Sequence, residues 1–332
     1  MTPAPLSSNA RSGSWRPLEP SLAGAVVGLA VVSMLTGPAG FGIPPAAAWL
    51  ILVEIRLPRT LLALLIGAAL GASGAALQGY LRNPLAEPGV IGISGGAGLG
   101  AVLAIHTGAA SAFALALPLG GLLGAFAATA LVLLLAGSGG RSLTLVLAGV
   151  AIGSVSTALI SAVLSLSHNP FAAVEMVFWL LGSLADRSLT HVWLSAPFLL
   201  VGMALLLRLG AALDALTLGE EAAENLGVDL ARVRRDLVAG AALAVGAATA
   251  VAGTIGFVGL VVPHILRPLV GHAPGRLVRA SLLGGAVLVL AADIALRLLT
   301  PAGELRLGVL TALMGTPLFI WLVVRTRRDM AP

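Results

Sequence analysis

The sequence predicts an all-α protein that crosses a lipid bilayer with about ten helices. Hydrophobic residues make up 58% of the 332 residues, and charged residues make up only 10%. A soluble domain usually carries about 25% charged residues, so this chain has too few to cover a surface that faces water. The composition therefore excludes a soluble enzyme, a disordered chain and a nucleic-acid binder, and it makes the lipid bilayer the expected surroundings.

The sequence also contains repeated apolar segments of about 20 residues. A helix of that length crosses the hydrocarbon core of a bilayer. We predict ten spans: 22–43, 58–80, 90–107, 112–136, 143–166, 192–211, 236–253, 257–270, 280–298 and 307–324. The first is too long for the core of a cleaved signal peptide. The third and eighth are short or rich in glycine, so we expect them to be tilted or to span only partly. A tail at 1–20, a membrane domain at 21–325 and a second tail at 326–332 complete the organisation.

The distribution of arginine supports this count, because cytoplasmic loops of membrane proteins carry an excess of positive residues. With both termini in the cytoplasm, the cytoplasmic segments hold 14 arginines: Arg11, Arg16, Arg82, Arg141, Arg208, Arg232, Arg234, Arg235, Arg267, Arg276, Arg279, Arg325, Arg327 and Arg328. The opposite side holds five: Arg56, Arg59, Arg187, Arg297 and Arg306. One span more or fewer would destroy this asymmetry.

Two absences from the composition limit the chemistry of the chain. It contains no cysteine, which excludes a disulfide framework and a thiolate metal site. It also contains no lysine, and the Walker A site for ATP needs one. We find no nucleophile with a neighbouring base, so we predict no catalytic residues. His264 has no partner at metal-ligand spacing, so we predict no metal site.

The loop that follows the second span is the densest polar patch in the first half of the chain. It contains Arg82, Asn83, Pro84 and Glu87, and its two prolines fix φ and remove backbone donors. The residues alone leave two interpretations open. The loop is either an ordinary helix connection or a structured cytoplasmic surface that meets another protein.

The most acidic stretch of the chain follows the sixth span, and we predict two short amphipathic helices within 214–232. The candidate residues are Gly219, Glu220, Glu221, Ala222, Ala223, Glu224, Asn225, Leu226 and Gly227. Alanine and glutamate favour a helix, and Gly227 suits a left-handed helix end. A solvated loop is the simpler interpretation. The length of the connection and its helix-forming composition favour a docking element instead.

The fifth span carries small residues at every fourth position: Gly149, Gly153, Thr157, Ser161 and Ser165. Such a ladder lets another helix approach closely, which is the usual reason for it in a membrane. The hydroxyl groups could instead line a polar pathway. In the ninth span, Asp293 and Arg297 lie four residues apart, and we expect them to pair and so to lower the cost of a charge in the membrane.

Seven blocks in collinear order resemble the iron-chelate and cobalamin permease family of the FecCD type, over about residues 50–325. They are Arg56–Thr60 (RLPRT), Gly74–Gly79 (GAALQG), Arg82–Gly92 (RNPLAEPGVIG), Phe178–Leu184 (FWLLGSL), Leu218–Ala223 (LGEEAA), Gly256–Arg267 (GFVGLVVPHILR) and Gly308–Pro317 (GVLTALMGTP). The resemblance implies the permease fold of a type II ABC importer. It also implies a homodimer of ten-helix subunits in the bacterial inner membrane, with both termini cytoplasmic, two ATPase subunits below and a periplasmic binding protein above.

The resemblance also implies roles for the candidate residues. The acidic stretch 219–227 would couple to the ATPase, which would bind ATP and Mg, and this chain would bind no cofactor itself. The ladder of the fifth span would line the pathway. Arg56, Arg59 and Arg297 would dock the binding protein. The cargo would be haem, which we favour, a ferric siderophore or cobalamin. The alternative is an ion-coupled secondary transporter, which would need intramembrane acids, and only Asp293 lies deep in a span.

Overall fold

The computed structural model describes residues 18–37, 40–42, 48–113, 115–137, 142–300 and 305–329. Nearly all of them form helices. The strands found in these ranges are Thr36–Gly37 and Gly40–Phe41, which pair antiparallel at the end of the first helix. The predicted tail 1–20 falls largely outside the described residues, as do residues 330–332 of the second tail, and both tails stay predictions.

Fifteen α-helices lie within the described ranges. In chain order they are α1 Leu18–Leu35, α2 Ala48–Leu50, α3 Leu57–Tyr80, α4 Ile93–His106, α5 Ala109–Ala112, α6 Ala116–Ala136, α7 Ser142–Ser165, α8 Pro170–Leu180, α9 Leu189–Arg208, α10 Gly210–Leu216, α11 Glu220–Asn225, α12 Leu230–Ala252, α13 Val258–Leu266, α14 Pro274–Leu299 and α15 Leu307–Asp329. A π-helical segment, Ile51–Arg56, joins α2 to α3, and 3₁₀ turns cover Pro88–Ile91 and Pro268–Val270.

Each of the ten predicted spans corresponds to one of the described helices, in the same order, and the apolar helix α8 (Pro170–Leu180) is an addition that no predicted span covers. Seven helices are long and apolar enough to cross a membrane, and Ile93–His106, Pro170–Leu180 and Leu307–Trp321 are shorter apolar helices. The third and eighth predicted spans are short, as expected, because α4 has 14 residues and α13 has nine. The first ends at Leu35 rather than at 43, where the chain turns into the small strand pair.

The fold is an all-α membrane protein built around α3, whose surface is almost entirely covered. Gly67 of α3 packs against Gly285 of α14, and Gly71 packs against Ser281. A Cβ atom at Gly67 or Gly71 would overlap a backbone carbonyl of α14, so only glycine allows this approach. Helices in lipid gain stability from such close backbone packing, because the lipid tails are as apolar as the side chains.

A second glycine interface joins α4 to α6 in the same way. Gly96 and Gly100 of α4 face Gly124 and Gly120 of α6, and each position would clash with the opposite backbone if it carried a Cβ. Together the two interfaces place the loop between α3 and α4 inside the bundle, next to α7 and α13. That loop is the centre of the candidate site.

Candidate functional site

The small-residue ladder of α7 divides into a packed end and an exposed end. Gly149 is buried against Val90 and Ile91 of the loop after α3, where a Cβ would collide with their backbone. Thr157, Ser161 and Ser165 are exposed. The ladder therefore packs closely at Gly149 and is exposed from Thr157 onward, and its role as a pathway lining stays a prediction.

The exposed hydroxyl groups all donate back to their own helix. Thr157 Oγ1 donates to the carbonyl of Gly153 at 2.9 Å, Ser161 Oγ to that of Thr157 at 2.9 Å, and Ser165 Oγ to that of Ser161 at 2.8 Å. Each hydroxyl hydrogen is therefore already used, and only lone pairs face outward. The open face is polar but offers few strong contacts, which suits a surface past which a solute slides.

A groove of about 620 Å³ runs between α7 and the loop after α3. Its lining residues are Gly89, Val90, Gly92, Gly95, Gly149, Val150, Gly153, Ser154, Thr157 and Ala158. The groove thus contains three of the five ladder residues and the end of the predicted cytoplasmic loop. The structure brings together two parts of the chain that lie about 60 residues apart in sequence.

Polar contacts fix the shape of this loop. Asn83 Oδ1 accepts a hydrogen bond from the backbone N–H of Leu85 at 2.9 Å, and Pro84 is exposed. Glu87 reaches in the opposite direction, where its Oε1 accepts from the backbone N–H of Phe257 at 2.6 Å. Phe257 precedes α13 with a φ of 65°, which is the left-handed region. The loop is therefore a structured connection that caps the start of α13.

Burial raises the pKa of the Glu87 carboxyl above its usual value, and the hydrogen bond from Phe257 lowers it in part. The carboxyl is half-buried and lies at the N-terminal end of α13, where the helix dipole favours a negative group. Both the burial and the cap depend on a residue of the second half of the chain, so the pair joins the two halves.

Two polar residues that the sequence analysis missed support the same loop. Gln78 is buried in α3, and its Nε2 donates to the carbonyls of Ala86 and Gly259 at 3.2 Å each. The guanidinium of Arg267 donates to Gln78 Oε1 at 2.5 Å. The available signal was that Gln78 is a long polar side chain in the apolar span 58–80, where burial requires partners.

Two short helices lie at the end of the bundle where α12 begins: α11 within the acidic stretch, and α10 before it, which starts at Gly210 rather than inside the predicted range 214–232. Leu213, Leu216 and Ala223 anchor them by burial. Glu221, Glu224, Asn225, Leu226 and Gly227 are exposed, as is Leu218 before them. Gly227 adopts a φ of 86°, the left-handed conformation expected at the end of the helix.

This surface, the exposed part of 218–227, is in contact with the loop after α3. Arg82 NH2 lies 3.8 Å from Glu220 Oε1, and both side chains are about half exposed. Asp214 of α10 accepts a hydrogen bond from the backbone N–H of Gly275 at 2.8 Å and so caps the start of α14. The acidic helices are thereby connected both to the loop and to the long helix that packs on α3.

The three arginines expected at a docking surface lie mainly inside the protein. Arg297 is 5% exposed and Arg56 is 6% exposed, and the Arg59 side chain is 16% exposed. Arg297 donates to the carbonyls of Ser33 and Thr36, and Arg56 donates to those of Met34 and Gly42, at 2.8–2.9 Å. Arg56 and Arg297 therefore lie inside the protein, because the end of α1 leaves carbonyl groups that need donors, and the docking role expected of the three arginines stays a prediction.

The predicted pair of Asp293 and Arg297 is confirmed, with 2.5 Å between Oδ2 and NH2. Arg59 adds a second ion pair to the same carboxylate at 2.8 Å. Asp293 is fully buried and held by both guanidinium groups. Asp293, the most deeply buried acid of the described residues, therefore acts as the centre of a structural cluster and is not free to bind a coupling ion.

The part of the chain that the structure describes contains no group of three or more histidine, cysteine, aspartate or glutamate residues that could hold a metal ion. The ring of His264 packs edge-on against Trp321, with 6.5 Å between centroids.

Comparisons with known proteins agree with this geometry. The sequence profile of the FecCD transport family matches residues 20–325. The chain belongs to the FecCD transport family. It is 39% identical to the vitamin B12 import system permease protein BtuC of Vibrio cholerae over 94% of this chain and 95% of that one. It is 40% identical to the ABC transporter permease protein YvrB of Bacillus subtilis over 84% of this chain and 80% of that one.

A solved structure has the same fold. It is described as an inward-facing conformation of an ABC transporter of the metal-chelate type, and it superposes with a TM-score of 0.83 at 34% identity. The match covers 94% of this chain and 99% of the other. The fold is therefore that of an ABC transporter permease, an all-α multi-pass membrane protein.

Proposed function

We propose that this chain is the permease subunit of a binding-protein-dependent ABC importer that moves a large iron chelate or cobalamin inward across the bacterial inner membrane. The observation that carries the proposal is the contact between the exposed acidic helices and the loop that lines the groove beside α7. One continuous set of elements reaches from a docking surface to a candidate pathway.

The cargo that we propose is a bulky chelate. The names of the relatives support a corrinoid such as vitamin B12, and haem and ferric siderophores belong to the same range of size and chemistry. The open face of α7 fits such cargo, because its hydroxyl groups are already bonded internally and would hold the solute weakly. Affinity would then reside in a separate binding protein.

A homodimer would complete the pathway. More than half of the circumference of α7 is exposed in the single chain, including Thr157, Ser161 and Ser165. Two copies of α7 that face each other across a two-fold axis would enclose a channel with hydroxyl groups on both sides. Two-fold symmetric dimers are the commonest assemblies of identical soluble chains.

Energy would come from two ATPase subunits that bind ATP and Mg and dock on 218–227, since a chain without lysine has no Walker A site of its own. Exposed Leu218 and Leu226, at 68% and 65%, flank the acidic residues there. Apolar side chains beside charges at a cytoplasmic end are typical of a protein interface. The proposed orientation places both termini in the cytoplasm, and the binding protein at the opposite end, where Arg59 is the remaining candidate contact.

Charge reversal at the proposed docking surface tests this function. Glu221→Arg combined with Glu224→Arg should remove most of the ATP-driven uptake and the cargo-dependent stimulation of the ATPase in proteoliposomes. The matched control is Glu19→Arg, which reverses an exposed acid at the start of α1 that pairs only with Arg279 among the described residues. Normal uptake by the double variant would contradict the coupling role.

ATP dependence separates the proposal from an ion-coupled secondary transporter. Uptake by the reconstituted wild-type importer should require ATP and persist when ion gradients are collapsed. Uptake driven by an ion gradient without ATP would favour the alternative, which the double ion pair at Asp293 already makes less suited to this chain.

A further inference from the structure

Two arginines lie together at the end of the bundle opposite the acidic helices. Arg187 is in the loop between α8 and α9, and Arg306 directly precedes α15. The backbone N–H of Ser183 in that loop donates to the carbonyl of Ala252, the last residue of α12, at 2.7 Å. Since α12 starts beside the acidic helices and has 23 residues, this end lies about 34 Å away from them.

The backbone around both arginines is firmly held. Gly308 donates to the carbonyl of Gly182 at 3.3 Å and packs against the carbonyls of Leu181 and Thr254. Leu184 is buried at 1% exposure and anchors the middle of the loop. The two segments that carry the arginines are therefore in direct contact and form a preorganised platform.

The two guanidinium groups are held in place, but each has a buried N–H donor without a hydrogen-bond acceptor in the part of the chain that the structure describes. The Arg306 guanidinium carbon lies 5.0 Å from the centre of the Phe178 ring, a cation–π arrangement. The Nε atoms of both arginines are buried, and neither has a hydrogen-bond partner among the described residues. No carboxylate of the described residues comes within ion-pair distance of either guanidinium. Buried donors without partners are rare and call for an explanation.

Electrostatics in this loop favour an anion. Burial lowers the pKa of Arg187, Asp186 raises it in part, and the positive charge of Arg306 lowers it further. Two like charges held together in a low dielectric repel each other, and a shared anion would relieve that repulsion. The start of α9, directly after Arg187, adds the positive end of a 20-residue helix.

An apolar groove of about 560 Å³ begins at the segments that carry the two arginines. Leu181, Gly308 and Val309 form its near end, and Leu313 and Thr316 of α15 lie farther along it. A groove with apolar walls that starts at Gly308, two residues after Arg306 in the chain, matches a ligand with an apolar body and an anionic edge.

We propose that Arg187 and Arg306 form an anion-binding site that receives a carboxylate or phosphate group of the cargo as it enters the permease. This rests on the proposed function and deepens it, because it assigns the cargo an anionic edge. The site suits cargo better than an acidic side chain of a docking protein, since both Nε atoms are buried and the apolar groove starts at Gly308, two residues after Arg306.

Two pairs of probes test the site in proteoliposomes that contain the complete importer with its ATPase and binding protein. Haem is compared with its dimethyl ester, which lacks free carboxylates, and cyanocobalamin is compared with dicyanocobinamide, which lacks the phosphate. The variants are Arg187→Gln, Arg306→Gln and the two combined. Arg279→Gln is the control, because it removes an exposed arginine at the other end of the bundle.

We expect each single variant to slow uptake of the transported anionic probe about tenfold at low concentration, since a charge-assisted hydrogen bond is lost. The matching probe without the anionic group should be carried equally by the variants and the wild type, and Arg279→Gln should transport both like the wild type. Unchanged melting temperatures would show that the variants are folded.

Several results would overturn the site. One is equal uptake of every transported probe by the double variant and the wild type, and another is a wild type that carries only the probes without an anionic group. Loss of affinity for the cargo-free binding protein in the double variant would assign the pair to protein docking instead. Where the importer carries only a ferric siderophore, equal uptake of it by the double variant and the wild type would overturn the site. A wild-type importer that carries neither the four probes nor a ferric siderophore would overturn the proposed function, and this site with it.

Discussion

Helices α3 and α7 have the same length and the same kind of residues, yet they have opposite surroundings. Each has 24 residues and carries small residues at regular spacing. In the most apolar stretch of the helix that contains α3, 83% of the residues are buried, whereas in α7 only 22% are. The comparison teaches that a small-residue ladder becomes a packing interface only where another backbone lies opposite it.

The partners explain the difference residue by residue. Gly67, Gly71 and Gly74 of α3 each face the backbone of α13 or α14 at a distance that excludes a side chain. Along α7 only Gly149 has such a partner, and the nearest heavy atom to a Cβ at Gly153 would be Gly92 Cα at 3.6 Å. The rest of the ladder stays open and carries the hydroxyl groups.

The largest expected effect comes from the same substitution on both helices. Gly74→Ala should destabilise the protein by about 3 kcal/mol or prevent folding, because its Cβ would overlap the carbonyl of Gly259. Gly153→Ala should leave stability unchanged or raise it by about 0.5–1 kcal/mol, since it adds helix propensity without a clash. Thermal unfolding in detergent measures both. Equal losses would show that α7 is packed like α3.

A bulky residue on the open face should separate transport from stability. Thr157→Trp should reduce ATP-driven uptake at least tenfold by narrowing the groove while leaving the melting temperature unchanged, because Thr157 is exposed. Val155→Trp is the control. Val155 is 55% exposed, and because it lies two residues before Thr157, its side chain projects about 200° around the helix axis from that of Thr157. Normal uptake by Thr157→Trp would remove α7 from the pathway.

The smallest effect is expected where the loop after α3 meets both helices. Glu87→Ala should cost about 1–3 kcal/mol of stability, because the N–H of Phe257 loses its acceptor. Glu87→Gln keeps an acceptor and removes the charge, so it should be close to neutral.

The pH dependence of that pair has a definite sign. Burial raises the pKa of Glu87 in the folded protein above the ordinary value of about 4.3. The folded state therefore binds the proton more tightly, and the contribution of Glu87 to stability is largest below that value and declines as the pH rises through the raised pKa. As the pH rises through that pKa, the free energy of unfolding of Glu87→Gln should increase relative to that of the wild type. A constant difference from pH 4 to pH 8 would contradict the raised pKa.

Some features of the structure could be predicted from the sequence, and others could not be predicted from it. The ten spans and the pairing of Asp293 with Arg297 depend on local hydropathy and on helical spacing, which a sequence displays directly. The burial of Arg56 depends on the end of α1 lying across from it, which local pattern does not reveal. The contacts of Gln78 with Gly259 and Arg267 join residues more than 180 positions apart.

By itself, the sequence determined that this chain is a helical membrane protein without a Walker A site. Hydrocarbon forces each span to satisfy its backbone internally as a helix, and a chain without lysine cannot form a Walker A site. Only the tertiary structure decided which small residues pack against another helix and which are exposed. It also decided which arginines donate hydrogen bonds to the carbonyl groups at the end of α1. Those outcomes depend on what lies opposite each side chain, and that is set by the packing of distant helices against one another.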